Sequence, residues 1–194
     1  MAADTKKYEN CTIKKATIIS NVDDSDVDLR KALDCSYYEG ILNDTVKCDL
    51  IITNSGQTIN GKNLLEGLPL VGTEDFLLEI EDPKGNILEA NLNVNKVTPF
   101  TKEPQREDIL LSLTSEEFIR NEEQTSEVIK RYDGKISEHI RKILTDNLKT
   151  EKELFIEETS NNFNFCGNRR KSIYILNWLS KKSIPSVNGK RGDT

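Results

Sequence analysis

The sequence predicts an α+β protein: an antiparallel β-barrel of about six strands followed by a smaller helical lobe with two amphipathic helices. Three observations predict it. Apolar residues alternate with polar ones in most stretches up to Leu113. Clusters of Asn, Asp, Gly and Pro separate those stretches. After Leu113 the apolar spacing shifts to the helical period. The expected divisions are a flexible N-terminus at 1–10, the barrel at 11–114, an α+β lobe at 115–185 and a flexible tail at 186–194.

The first strand lies in 11–20, with Ile13, Ala16, Ile18 and Ile19. Residues 21–26 (N-V-D-D-S-D) form a turn, because short Asx side chains bond nearby backbone. Val27, Leu29, Leu33, Cys35 and Tyr37 then fall on alternate positions, which reads as one strand; a helix through 29–33 is the competing reading. The clearest strand is 44–53, where Val46, Cys48, Leu50 and Ile52 share a face opposite Lys47 and Asp49. Residues 60–68 form a short helix ended by Gly67, which Pro69 cannot continue. Phe76, Leu78 and Ile80 alternate up to a hairpin at 82–86 (D-P-K-G-N). The return strand carries Leu88, Ala90, Leu92 and Val94 and runs to Val97. Pro99 and Pro104 bracket a loop, and Ile109, Leu111 and Leu113 mark the last strand.

In the lobe, 114–117 (T-S-E-E) starts a short helix, with acids where the helix dipole favours them. Ile136, Ile140, Ile143, Leu144 and Leu148 give a helix across 135–148, with Gly134 just outside it. Leu154, Phe155 and Ile156 predict a short strand, and 161–164 and 167–168 predict loops. A second helix over 171–182 sets Ile173, Leu176 and Leu179 on one face and ends before Pro185.

Composition narrows the function. With 194 residues the chain can bury a core without staples. The 33 acidic and 27 basic residues leave a net charge of −6, which disfavours nonspecific nucleic-acid binding. Cys11, Cys35, Cys48 and Cys166 lack C-x-x-C spacing and read as reduced thiols, so no zinc site is expected. The N-terminus lacks a signal-peptide core, and no apolar run is long enough to span a bilayer. The chain is therefore expected to be made in cytosol.

Each candidate for chemistry has a simpler structural reading. His139 is the only histidine and lies in the first amphipathic helix beside the apolar stripe, where a surface or packing role accounts for it better than catalysis. The pairs Glu116–Glu117, Glu122–Glu123 and Glu157–Glu158 are neighbours whose side chains diverge, which suits a solvated face better than an acid/base pair. No phosphate loop or dinucleotide fingerprint occurs. The acidic run 23–28 lacks the Gly and terminal Glu of a calcium loop. Arg169, Arg170 and Lys171 form a basic cluster that is either a solvated helix cap or a contact for an acidic partner. Trp178 reads as core or interface. No catalytic residue, cofactor or metal ligand is assigned, and an enzyme is not expected.

A family resemblance rests on the order of several segments: Lys47–Asn54 followed by N-G-K-N-L-L-E-G-L-P at 60–69, L-N-V-N-K-V-T-P at 92–99, K-R-Y-D-G-K-I-S at 130–137, E-E-T-S-N-N-F-N-F-C-G at 157–167 and L-N-W-L-S-K-K-S-I-P at 176–185. In this order the chain resembles baseplate hub subunits of T-even-like contractile-tailed bacteriophages, over most of 11–185. The resemblance implies a structural virion protein of the tail baseplate, assembled in the host cytoplasm. It implies a trimeric homo-oligomer ringing the passage for the genome. The implied partners are the tail tube protein, the central spike protein and baseplate wedge proteins, with no membrane and no sequence-specific nucleic-acid binding. The family's chains are longer, so the resemblance implies a fragment or a shortened form of the N-terminal part. The alternative is a non-enzymatic β-rich module binding peptide or carbohydrate. That reading needs an exposed aromatic platform, for which Tyr37, Tyr38 and Phe76 are the candidates.

Overall fold

A computed structural model of the chain describes residues 11–21, 26–30, 33–40, 43–54, 70, 72–103 and 106–186. The helix expected at 60–68, most of the turn at 21–26, Pro104, both termini and the tail beyond Ser186 lie outside the described residues. The chain divides into two compact units, Met1–Ser115 and Glu116–Thr194.

The first unit is an antiparallel sheet of seven strands: β1 Thr12–Ile19, β2 Asp26–Asp28, β3 Leu33–Tyr38, β4 Lys47–Asn54, β5 Asp75–Glu81, β6 Ile87–Glu103 and β7 Arg106–Thr114. Their spatial order is β2-β1-β5-β6-β7-β4-β3. The α+β class is therefore correct, but the expected closed barrel is an open sheet. Alternation along a strand shows which face is buried. Closure depends on a ladder between first and last strands, and alternation carries no signal of that.

The extra strand comes from 27–37, which is two strands rather than one. β2 pairs with β1 and β3 pairs with β4, so these two strands, close in sequence, lie at opposite edges of the sheet. Laid flat, the six intervals between seven strands would span about 29 Å. The five steps from Asp28 to Leu33 reach at most about 18 Å. The sheet must therefore curl until its edges approach, although no ladder joins them among the described residues.

The curl gives the inner face its own cover. Ala16, Ile18, Cys48, Leu50, Ile52, Phe76, Leu78, Leu92, Val94, Ile109, Leu111 and Leu113 fuse into one buried cluster. In β4 and β7 these residues oppose directly, Cys48 on Leu113, Leu50 on Leu111 and Ile52 on Ile109. On the opposite face Ser112 Oγ donates to Asp49 at 2.9 Å. The hairpin at 82–86 forms as expected. Asp82 Oδ1 accepts the Lys84 and Asn86 N–H groups at 2.8 Å, and Gly85 supplies a φ of 85°.

The loop expected between Pro99 and Pro104 is wrong on its first side. Pro99 lies inside β6, which runs on to Glu103. The register shifts between Pro99 and Thr101, and such a bulge tolerates a residue that cannot donate to the ladder. A second shift falls between Val94 and Lys96. β5 pairs with 87–93 of β6 and β7 with 93–103, so the two neighbours overlap only at Asn93. Among the described residues, 95–103 is laddered on one side only.

The second unit contains α1 Glu116–Glu122, β8 Arg131–Tyr132, α2 Ile136–Lys142, β9 Phe165–Cys166 and α3 Ser172–Ser180. The helix expected over 135–148 is regular only to Lys142 and continues as a π-turn over Ile143–Asn147. Leu148 N–H bonds Ile143 O, five residues back, and Arg120 Nη1 caps the end by donating to Lys149 O at 2.7 Å. Its expected apolar stripe is buried at Ile136, Ile143 and Leu148. The strand expected at 154–156 does not form. That stretch joins no ladder, and the strand pair of this unit is β8 with β9 instead.

Candidate functional site

The second unit is built on rings. β8 and β9 place Tyr132 opposite Phe165, whose rings stack at 5.2 Å. Phe163 and Phe165 meet the edge of Trp178 on α3 at 5.1 and 5.4 Å. Lys182 Nζ lies over Phe163 and Trp178 at 5.3 and 5.2 Å. Trp178 is thus half core and half surface, as its residue type allows.

His139 stands edge-on to Tyr132 and Phe165, 1 % exposed. Its Nε2 lies 3.0 Å from the Phe163 carbonyl. A carbonyl only accepts, so Nε2 carries the proton. Nδ1 has no partner among the described residues. This is a histidine used as a packed ring, sealed from any substrate.

Most acidic candidates are tied up separately. Glu116 pairs with Arg120 and Glu122 with Lys171. Glu117 accepts from Lys152 Nζ and Thr150 Oγ1, both at 2.7 Å. Burial pushes its carboxyl up, but these bonds outweigh burial and hold it below the ordinary range. Glu157 and Glu158 are exposed. Asp28 is engaged by Arg30, and the described residues hold no cluster of three metal-ligating side chains.

The three aromatics proposed as a platform do not come together. Phe76 is fully buried, Tyr37 packs inward and Tyr38 points outward, 51 % exposed. Burial, then the Glu39 carboxylate that accepts from its hydroxyl, pushes Tyr37 up to about 12. Cys35 and Cys48 lie diagonally across β3 and β4 with sulfurs 3.6 Å apart, while Cys11 and Cys166 are exposed.

The basic cluster proves the informative part. Lys171 is paired, but Arg169 and Arg170 are exposed and make no ion pair among the described residues. They border an open groove of about 430 Å³ whose walls include Cys166, Tyr174 and Trp178. Arg170 leans over Tyr174 at 5.6 Å. Two devices shape this groove. Asn121 Oδ1 accepts the Ile173 N–H at 2.9 Å, capping α3 from outside. Gly167 packs so tightly on Val128 that any Cβ would stand 2.1 Å from its carbonyl oxygen. The sequence marked the cluster and Trp178 separately. Their meeting depends on the β9 turn, where Asn168 and Arg169 adopt φ of 50° and 55°.

A curled antiparallel sheet unit and a small α+β unit define the fold class. No protein-family model and no curated protein matches the sequence. Solved structures that share its fold include three tail-type proteins. One is an Escherichia coli component of the type VI secretion system, described as similar to the T4 bacteriophage tail proteins gp27 and gp5. It is 10 % identical with a TM-score of 0.52, over 90 % of this chain and 43 % of that one. The 43 kDa tail protein of prophage MuSo2 from Shewanella oneidensis is 9 % identical at 0.57, over 88 % and 50 %. A tail protein from Neisseria meningitidis MC58 is 10 % identical at 0.50, over 86 % and 44 %. The chain spans half or less of the length of each. Among the described residues no helix is long and apolar enough to cross a membrane.

Proposed function

We propose that the chain is a structural, non-catalytic component of a phage-type contractile tail, acting as a hub subunit that oligomerises into a ring between tail tube and central spike. The observation carrying this reading is the fold likeness to three tail-type proteins, which extends over 86–90 % of the chain. The ladder along 95–103, one-sided among the described residues, supports it, since an unpaired strand edge is a template for pairing with a neighbour.

The reading places the protein in the virion baseplate, with tube, spike and wedge proteins as partners. The test is co-purification of the chain with tube and spike proteins of a contractile tail, followed by electron microscopy. Rings seated on tube ends are expected. A chain that stays monomeric and ignores both partners refutes the reading.

A further inference from the structure

Phe155 is 88 % exposed, the most exposed large apolar side chain among the described residues. It sits on an arm, 150–158, that belongs to no strand or helix. Leu154 and Ile156, between the exposed positions, are half-buried. Glu153, Phe155 and Glu157 are all exposed at alternate positions, so two acids and an aromatic ring are presented to solvent together. Lys152 is spent on Glu117, which leaves the arm's outward charge negative. The arm is therefore an ordered acid–aromatic–acid knob.

The groove beside α3 is its complement. Arg169 and Arg170 supply positive charge that is unpaired among the described residues, while Tyr174 and Trp178 supply aromatic wall. Its volume of about 430 Å³ falls in the range that holds small ligands, about 300–1,000 Å³. No residue of the arm lines the groove of its own chain. Knob and hole share one unit but stay unjoined within it.

We infer that the 150–158 arm of one copy docks into the Cys166–Trp178 groove of the next, with Phe155 against Trp178 and Glu153 and Glu157 near Arg169 and Arg170. This rests on the self-assembly proposed above and names its contact. Knob and hole are different surfaces, so the interface is head-to-tail and propagates around a ring.

Sedimentation velocity on the full chain tests it. F155A and the double variant R169E/R170E each weaken self-association by about tenfold or more. All three side chains are exposed, so circular dichroism should stay that of wild type. An equimolar mixture of the two variants is decisive: F155A keeps the groove, the double variant keeps the arm, and together they form a 1:1 complex that grows no further. In parallel, a synthetic peptide of residues 150–158 shifts the emission of Trp178, the only tryptophan, and the same peptide with both Glu153→Lys and Glu157→Lys does not. Self-association surviving both variants overturns the arm contact but leaves the assembly reading intact, pointing to sheet edges instead. A mixture no larger than either variant alone also overturns it, as does a wild-type chain that never self-associates.

Discussion

Gly167→Ala should be the most damaging single-methyl addition in the second unit. A Cβ there would lie 2.1 Å from Val128 O, 2.4 Å from its Cγ1 and 2.6 Å from its carbonyl carbon. Relief requires Val128 to retreat by roughly 1 Å, to the 3.0 Å below which Cβ contacts essentially never occur. Val128 is not free to move. Its N–H donates to Arg170 O at 2.9 Å, its carbonyl accepts from Arg169 N–H at 3.1 Å, and Gly167 N–H donates to Lys130 O at 3.2 Å. Overpacking costs about 1–3 kcal/mol, and each weakened hydrogen bond about 0.5–1.5 kcal/mol. The lower entropy of the unfolded alanine chain returns about 0.4–1 kcal/mol. The net loss is about 2–3 kcal/mol, or about 10–20 °C in Tm for a unit of this size. Gly85→Ala is the control. Gly85 sits at φ 85° with nothing within 4 Å of a Cβ, so it incurs only backbone strain of about 1 kcal/mol. Calorimetry or urea titration of both variants checks the argument. It is refuted if Gly167→Ala unfolds within about 0.5 kcal/mol of wild type, or if Gly85→Ala costs more.

Three other outcomes are expected. The Glu117 carboxyl is held below its ordinary value of 4.5, so its contribution is complete above that pH and fades as pH falls through the lower folded value; Glu117→Gln should flatten acid unfolding there, and an unchanged acid limb contradicts the assignment. Tyr37 stays neutral up to about 12, so stability should fall as pH rises from 10 toward 12, where only the unfolded chain ionises it; Tyr37→Phe should remove that part of the alkaline loss, read by denaturant titration at each pH. Exposed Cys11 and Cys166 should react fast with a thiol reagent, while buried Cys48, whose thiol is pushed up by its contact with Cys35 and by burial, should react only on unfolding; mass spectrometry of partly labelled protein ranks them.

Much of this protein was legible in the sequence because strand alternation and helix period are local. Val46, Cys48, Leu50 and Ile52 marked the inner face of β4, and Ile109, Leu111 and Leu113 that of β7. Asp82 to Asn86 announced its hairpin, and Ile173 and Leu179 the buried side of α3. These features follow from the side-chain geometry of a few consecutive residues.

What the tertiary structure decided is non-local. Nothing in 27–37 reveals that β2 and β3 join opposite edges of the sheet, because both halves alternate alike. Pro99 looked like a loop boundary until a bulge admitted it to a long strand. The arm at 154–156 has a strand's composition but joins no ladder, whereas the two-residue β8 and β9 pair with each other. Arg169, Arg170, Tyr174 and Trp178 are neighbours only because Gly167 lets the β9 turn settle on Val128. Periodicity shows which side of an element faces the core. Which element lies next to it, and so where a groove opens, is set by long-range packing that no short stretch of sequence encodes.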